Sequence, residues 1–348
     1  MDSSIRPIWI SHNKEIVEFL NENGYEAYYN HSLKGIWYCL RGKVYCFDNY
    51  SKDISFWLSG GALKFNMWHG IPLKKIQADN IFDRVRHPKN GWEKFKSFPR
   101  RLSDEKPSHY VLTTSEYMKP IFKSAFQTEK VSTIGYPRID GFAYNEIKSL
   151  CTETELRVLR RIEKLLAADQ SYKMIYYMPT FRDSETTFFD VMDLQVFNDF
   201  LRENHYVFCT KLHPKSKLRK QFQETESDYI VNIDADTDPY VFIPVSDMLV
   251  TDYSSIYFDY LFASKPIVFF DYDLEQYLKD SREMYFDYEE YTPGVKARTQ
   301  EEFQQALKDV LEEDSFVTQR KQLQEKIYEE TERPICGKLI DEIRDIIK

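Results

Sequence analysis

The sequence predicts an α/β chain of two doubly wound domains, each a parallel sheet wrapped by helices, and three observations carry that expectation. At 348 residues the chain is long enough for two separate cores. Short β-rich runs alternate with helical stretches in both halves, the pattern of parallel sheets. A helix of alternating charge and leucine, TETELRVLRRIEKLLAA (152–168), stands between two such series. The expected boundaries are 1–150 for the first domain, 151–334 for the second and 335–348 for a closing helix.

In the first half RPIWI (6–10) reads as a strand, and NKEIVEFLNEN as a helix capped by Asn13. YEAYY is strand-like, LKGIWYCLRG helical, and KVYCFD and KFNMW are strands, the last leading into His69. HYVLTT (109–114) is a strand, Ser115 caps the helix EYMKPIFKSAF, and VSTIGYP is a strand and turn. After the connector helix, YKMIYYMPT is a strand, VMDLQVFNDFLREN a helix and YVFCTKLHP a strand. DMLVTD is a strand, SSIYFDYLFAS a helix and KPIVFF a strand, and helices are expected over 299–313, 314–330 and 336–347.

Composition excludes several classes of function. Hydrophobic residues make up 42% and charged residues 30%, so the chain is globular rather than disordered. The 47 Lys plus Arg stand against 56 Asp plus Glu, a net charge of -9, which argues against a nucleic-acid binder. Five widely spaced cysteines without a C-x-x-C pair suit a reducing cytoplasm better than a zinc ribbon or a disulfide framework. The N-terminus lacks a signal-peptide layout and opens almost directly on the first strand, so no upstream membrane-targeting segment is expected. The most apolar tract, SIYFDYLFASKPIVFF, is cut by Asp259, Lys265 and Pro266, so it is not expected to span a membrane.

Ligands of doubly wound sheets sit beyond the carboxyl ends of the strands, which selects four clusters. In the first half KFNMW delivers His69 and Gly70 at a strand end, followed by Lys74 and Lys75. A neutral histidine can take a proton near neutral pH, and a glycine lets backbone approach a ligand. The two lysines suit an anionic acceptor, or are simply solvated. In the second half TDYSS (251–255) would aim amides and the hydroxyls of Ser254 and Ser255 at one point, although Asp252 or Ser254 would equally serve as a plain cap. KLHPK puts His213 at a strand end beside Lys211 and Lys215, and PTFRD (179–183) offers Thr180 and Arg182. Three strand ends of one sheet carrying phosphate-compatible groups read as a diphosphate pocket. No Asp-x-Asp metal motif is read at a suitable strand end.

WHGIPLKKI, YMPTFRD, KLHPK and SDMLVTDYSSIYFDYLFASKPIVFFDYDLEQY together resemble the CDP-glycerol glycerophosphotransferase family of teichoic-acid and capsule polymer synthesis. The likeness runs in the family's order from SLKGIWYCLRGKVYCFDNY to Tyr277, and TDYSSIYFDY followed by KPIVFF is its most diagnostic part. The resemblance implies a GT-B-like fold, with the active site in the cleft between two Rossmann-like domains, acceptor-binding first and CDP-donor-binding second. It implies His69 as catalytic base, with Gly70, Lys74 and Lys75 toward the acceptor. His213 falls on the pyrophosphate histidine, and Thr251, Asp252, Ser254 and Ser255 on the nucleotide loop, with Thr180, Arg182 and Lys215 beside them. Ile71 stands where the family usually has Thr, and Gln77 where it often has Gly, both on the acceptor side.

The implied reaction moves glycerol phosphate or ribitol phosphate from a CDP-alditol to a hydroxyl of a lipid-linked or polymeric acceptor and releases CMP, with no obligatory metal. The implied location is the cytoplasm, peripheral at the inner face of a bacterial plasma membrane. Residues 84–106 hold eight Lys or Arg against three acidic residues, interleaved with Trp92, Phe95 and Phe98, and suit an anionic lipid surface or a polyphosphate chain. They also fit a solvated insertion. A GT-B sialyltransferase-like enzyme using CMP-sialic acid, or a non-catalytic nucleotide-binding module, are the other readings. Neither gives His69 this role.

Overall fold

The computed structural model describes residues 5–104, 107–142, 151–169, 171–182, 188–280, 283–329 and 334–348. The chain divides into two compact units, 1–71 with 75–140 and 326–348, and 72–74 with 141–325.

The first unit begins with β1 (Trp9–Ser11), α1 (Lys14–Glu22), β2 (Ala27–Tyr29) and α2 (Leu33–Arg41). Asn13 caps α1 as expected, its side chain accepting the Glu15 N–H at 2.9 Å. There follow β3 (Val44–Phe47), β4 (Leu63–Asn66), α3 (Gly91–Asp104), β5 (Tyr110–Leu112), α4 (Lys119–Phe126) and β6 (Val131–Ser132). Helix α4 starts later than Ser115 predicts, because Pro120 fits only in a first helical turn; the Ser115 hydroxyl still accepts the Met118 N–H at 3.2 Å.

A single doubly wound sheet is not what this unit forms. Among the described residues, strands β3-β4-β5-β6 make a parallel sheet in plain sequence order, and β1 and β2 pair only with each other. The C-terminal helix Ile335–Ile347 returns to this unit. The Asp140 carboxylate accepts the first amides of that helix, Ile335 N–H at 2.9 Å and Cys336 N–H at 2.7 Å, in the place of a local cap.

The second unit is the doubly wound one. Its strands are β7 (Lys173–Tyr177), β8 (Tyr206–Lys211), β9 (Ile230–Ile233), β10 (Met248–Thr251), β11 (Ile267–Phe270) and β12 (Val295–Ala297). They lie parallel in the order β12-β11-β10-β7-β8-β9, so that counted from the first strand of the unit the order is 3-2-1-4-5-6. The order reverses between β7 and β10. Strands β8, β10 and β11 are buried on both faces, which explains why they read as continuous apolar runs rather than alternating ones.

Phe188, Phe197, Phe208, Phe270 and Phe303 fill the core on one side of this sheet, with Phe270 and Phe303 stacked at 4.5 Å. Each such ring contributes about 1.5–3 kcal/mol through the area it removes from water. The connector helix Glu153–Ala168 carries a complete capping box between Thr152 and Glu155.

Candidate active site

In the second unit the polar segments after β7, β8, β10 and β11 emerge from the same edge of one parallel sheet. The segments after β7 and β10 flank the point where the strand order reverses. They are laced together directly. The Met178 N–H donates to the Val250 carbonyl at 2.9 Å, and the Thr251 hydroxyl returns to the Met178 carbonyl at 2.8 Å. Thr251 is therefore fully buried with its hydroxyl engaged.

Asp252 is 1% exposed and organises the turn. Its carboxylate accepts the Thr180 N–H at 2.9 and 3.1 Å, the Ser254 N–H at 3.2 Å and the Tyr253 N–H. It also faces Arg182 Nη1 at 2.7 Å. Two of the amides that a bare helix start would offer to an anion are thus taken by Asp252. The Ser254 and Ser255 hydroxyls are half-buried and make no hydrogen bond among the described residues.

Arg182 is locked from both sides. Its Nε and Nη2 form a two-pronged contact with Asp273 at 2.6 and 2.8 Å, and Nη1 donates to the Thr180 carbonyl at 3.0 Å. The rings of Tyr253 and Tyr272 lie 5.5 and 5.0 Å from its guanidinium. Burial opposes its charge, but Asp252 and Asp273 more than offset this and hold its pKa above the ordinary arginine value.

His213 lies exposed at the end of β8, with the Phe181 ring 5.4 Å away. Its Nδ1 accepts the Lys215 backbone N–H at 3.1 Å. An amide can only donate, so the neutral ring carries its proton on Nε2 and presents a donor. Desolvation, then the charges of Lys215 and Lys211, push its pKa below the usual histidine value. Lys215 is exposed, whereas Lys211 is buried with its ammonium on the carbonyls of Asp234 and Ala235 at 2.7 and 2.6 Å.

Lys74 groups with this unit: its ammonium donates to the Tyr277 hydroxyl at 2.9 Å, and Tyr277 stacks on Tyr253 at 4.2 Å. Lys75 is half-buried in the first unit.

His69 belongs to the first unit, just past β4. Trp68 is held at φ 53°, a left-handed conformation rare for a bulky residue, and its N–H donates to the Asn66 side chain at 2.9 Å. The Trp68 ring lies 3.9 Å from the His69 ring and meets Phe126 edge-on at 4.9 Å. His69 Nδ1 lies 3.0 Å from the Asp48 carbonyl, which can only accept. The neutral ring therefore keeps Nε2 as a bare lone pair, the opposite tautomer to His213. The ring is solvent-accessible yet packed among many protein atoms. Desolvation lowers its pKa against the Asp48 hydrogen bond, with the Arg138 charge adding a smaller push the same way. Gly70 is buried, its carbonyl accepting the Tyr136 hydroxyl at 3.2 Å, and Ile71 is fully buried.

The sequence profile of CDP-glycerol:poly(glycerophosphate) glycerophosphotransferases matches residues 1–333. The chain belongs to that family.

Among its relatives is the teichoic acid poly(glycerol phosphate) polymerase of Bacillus spizizenii, 28% identical over 286 residues, or 79% of this chain and 68% of that protein. The polymerase of Bacillus subtilis is 31% identical over 251 residues, 70% of this chain but only 32% of that protein. The family chain thus spans about a third of the latter's length. Glycerol-phosphate and ribitol-phosphate enzymes both occur among the relatives. A solved structure of the wall teichoic acid polymerase TagF shares the fold, with TM-score 0.64 and 22% identity over 98% of this chain and 88% of that one.

Gln77, where the family often has glycine, keeps a glycine-type backbone at φ 50°. One further feature went unread in the sequence. Asp271-Tyr272-Asp273 is an Asp-x-Asp at the end of β11, so the expectation that none stood at a strand end is corrected. Its second carboxylate holds Arg182, and its first, fully buried, lies 3.5 Å from Arg298 Nε. Burial raises the Asp271 pKa, and Arg298 only partly opposes it. The motif itself, directly after KPIVFF, was the signal that could have revealed it.

Proposed function

We propose that this chain transfers glycerol phosphate or ribitol phosphate from a CDP-alditol to a hydroxyl of a lipid-linked or polymeric acceptor, releasing CMP, in teichoic acid or capsule polymer synthesis. The observation that carries the reading is the pair of opposite histidine tautomers, one ring with a bare Nε2 and the other with an Nε2 donor. Phosphoryl transfer asks for both: a proton acceptor at the attacking hydroxyl and a neutral donor at the diphosphate.

The acceptor hydroxyl gives its proton to His69 Nε2 as its oxygen bonds to the β-phosphorus. The bond from that phosphorus to the bridging oxygen breaks, and CMP leaves with the electron pair. His213 and the hydroxyls of Ser254 and Ser255 stabilise the charge on the leaving phosphate, with Lys215 nearby in the chain. Arg182 acts one step removed, through Asp252. In this reading the chain is a GT-B-type enzyme in which His69 of the first unit and the donor site of the second serve one substrate pair. No obligatory metal is invoked: Arg182 and Arg298 supply the counter-charge at the carboxylates a divalent cation would use.

The same reading includes peripheral attachment to an anionic membrane through α3. Trp92, Phe95, Phe98 and Leu102 form one apolar stripe along this helix and all are exposed, while Asp104 at its end is buried against Lys52 at 2.6 Å and Arg100 at 3.1 Å. The helix thus turns its apolar face outward with lysines and arginines alongside, the pattern of an interfacial helix. Residues 105 and 106 of the expected basic segment lie outside the described residues. Among the described residues no helix is long and apolar enough to cross a membrane.

The test is CMP release from CDP-glycerol, CDP-ribitol and CMP-sialic acid, each with and without a polyol-phosphate acceptor. Acceptor-dependent release from a CDP-alditol is expected, and release from CMP-sialic acid alone would overturn the proposal.

A further inference from the structure

Pro72, Leu73 and Lys74 group with the second unit, although the chain on either side of them belongs to the first. Backbone contacts pin them there. The Leu73 carbonyl accepts the Tyr285 N–H at 2.9 Å, and Lys74 pairs with Met284 in an antiparallel bridge. Pro72 and Leu73 are buried and Lys74 is half-buried, so the backbone that carries the Lys74 side chain is fixed on this unit.

The Lys74 ammonium donates to the Tyr277 hydroxyl at 2.9 Å and lies 5.3 Å from the centre of that ring. Tyr277 stands in the helix Leu274–Asp280, and its N–H donates to the Asp273 carbonyl at 2.9 Å. Residues four apart in a helical turn face the same way, and these two converge on one target. The Asp273 carboxylate accepts the Tyr253 hydroxyl at 3.0 Å. The Tyr277 ring stacks on the Tyr253 ring at 4.2 Å, with 18° between the planes.

Tyr253 is fully buried, and its own N–H donates to Asp252. It therefore carries the hold of that helix start to the 251–255 turn. A charge-assisted hydrogen bond at the far end of Tyr277 restrains the plane in which the ring meets Tyr253.

We propose that Tyr277 and Lys74 are positioning residues for the nucleotide turn: Tyr277 holds Tyr253 in place, and Lys74 holds Tyr277. The inference rests on the transferase reading above, in which the 251–255 turn takes the diphosphate of the donor. It moves Lys74 from the acceptor side, where its neighbours in the sequence put it, to the donor side.

The test is calorimetric titration with CMP, with the acceptor KM measured at saturating donor and folding checked by a thermal melt. Tyr277→Leu removes the stack and the hydroxyl together and should raise the CMP Kd about tenfold. Lys74→Met and Tyr277→Phe each remove only the hydrogen bond and should each raise it about threefold. Because they remove the same bond, the double variant should be no weaker than either alone. Lys74→Arg keeps a donor and should restore wild-type CMP affinity, and the acceptor KM of Lys74→Met should not change.

An unchanged CMP Kd in folded Lys74→Met or Tyr277→Leu would overturn the inference, as would effects of Lys74→Met and Tyr277→Phe that multiply in the double variant. A raised acceptor KM with an unchanged CMP Kd would return Lys74 to the acceptor. Should Tyr277→Leu fail to fold, Lys74→Met and Tyr277→Phe decide the question. A wild-type protein that does not bind CMP would sink the transferase reading instead. The hold on Tyr253 is then read in thermal melts of Tyr277→Phe, Asp273→Asn and their double variant. A loss in the double variant smaller than the sum of the single losses supports it, and strict additivity overturns it.

Discussion

Replacing Asp273 by asparagine asks whether Arg182 acts on the donor or on the turn that holds it. Asp273 accepts Arg182 Nε and Nη2 at 2.6 and 2.8 Å and the Tyr253 hydroxyl at 3.0 Å, all nearly out of solvent. Asparagine offers one oxygen in place of two and turns an amide N–H toward a guanidinium N–H. Each charge-assisted bond of this kind contributes about 1.5–3 kcal/mol. One is remade by the asparagine oxygen, and the surplus negative charge of two carboxylates around one guanidinium disappears. The net loss of stability is therefore about 2 kcal/mol, below the about 3–5 kcal/mol of an orphaned buried charge, because Asp252 still faces Arg182.

The functional consequence separates the two roles. If Arg182 gripped the diphosphate, neutralising Asp273 would release it toward the ligand and CMP would bind as well or better. If it positions Asp252, and through Asp252 the amides of Thr180, Tyr253 and Ser254, the turn loosens and the CMP Kd rises about tenfold, about 1.4 kcal/mol. Arg182→Lys should behave like Asp273→Asn, since a single ammonium cannot bridge two carboxylates. Calorimetric titration with CMP, alongside a thermal melt by circular dichroism, reads both effects. A CMP Kd unchanged or tighter in a folded Asp273→Asn protein would refute the positioning role.

Other expectations follow from the same geometry. His69→Ala should abolish transfer while CMP binding survives, and His213→Ala should weaken both; full activity of the His69 variant would remove the base assignment. The proposed base role requires a neutral His69 ring, and its pKa is lowered, so the acid limb of kcat/KM should fall below about pH 6.5, the ordinary histidine value. The unfolded chain protonates this histidine first, so its contribution to stability is present above about pH 6.5 and lost on acidification below it. Trp92, Phe95 and Phe98 all changed to Ser should release the protein from anionic vesicles in a sedimentation assay, and undiminished binding would remove α3 from the interface. Asp140→Ala, which strips the amides of Ile335 and Cys336 of their acceptor, should cost about 1 kcal/mol of stability in urea unfolding.

What was legible in the sequence was local. Alternation of apolar runs with helical periods was enough to read the parallel sheet of the second unit, and each strand end advertised its own polar cluster, so His69, His213, Thr180 and the 251–255 turn could be nominated as candidates without coordinates. The short edge strands β9 and β12 were missed because IVNI and VKA are brief runs set among polar residues. Helix capping by Asn13 was read because its partner, the Glu15 amide, lies two residues on, whereas Thr152, which caps the connector helix, was read as part of that helix.

Only the tertiary structure decided what those residues do for one another. Arg182 looked like a free phosphate ligand until Asp273, 91 residues away, was seen to hold it. The amides of TDYSS looked available until Asp252 took two of them. The tautomers of His69 and His213 are set by a carbonyl and an amide, groups that every residue carries and that no side-chain pattern reveals. The pairing of β1 with β2 alone, and the outward apolar face of α3, depend likewise on which surfaces remain once other elements have packed. Periodicity and capping are short-range and therefore written in neighbouring residues. Hydrogen-bond satisfaction and charge pairing in a buried site are settled by whichever groups the fold brings within 3 Å, whatever their distance along the chain.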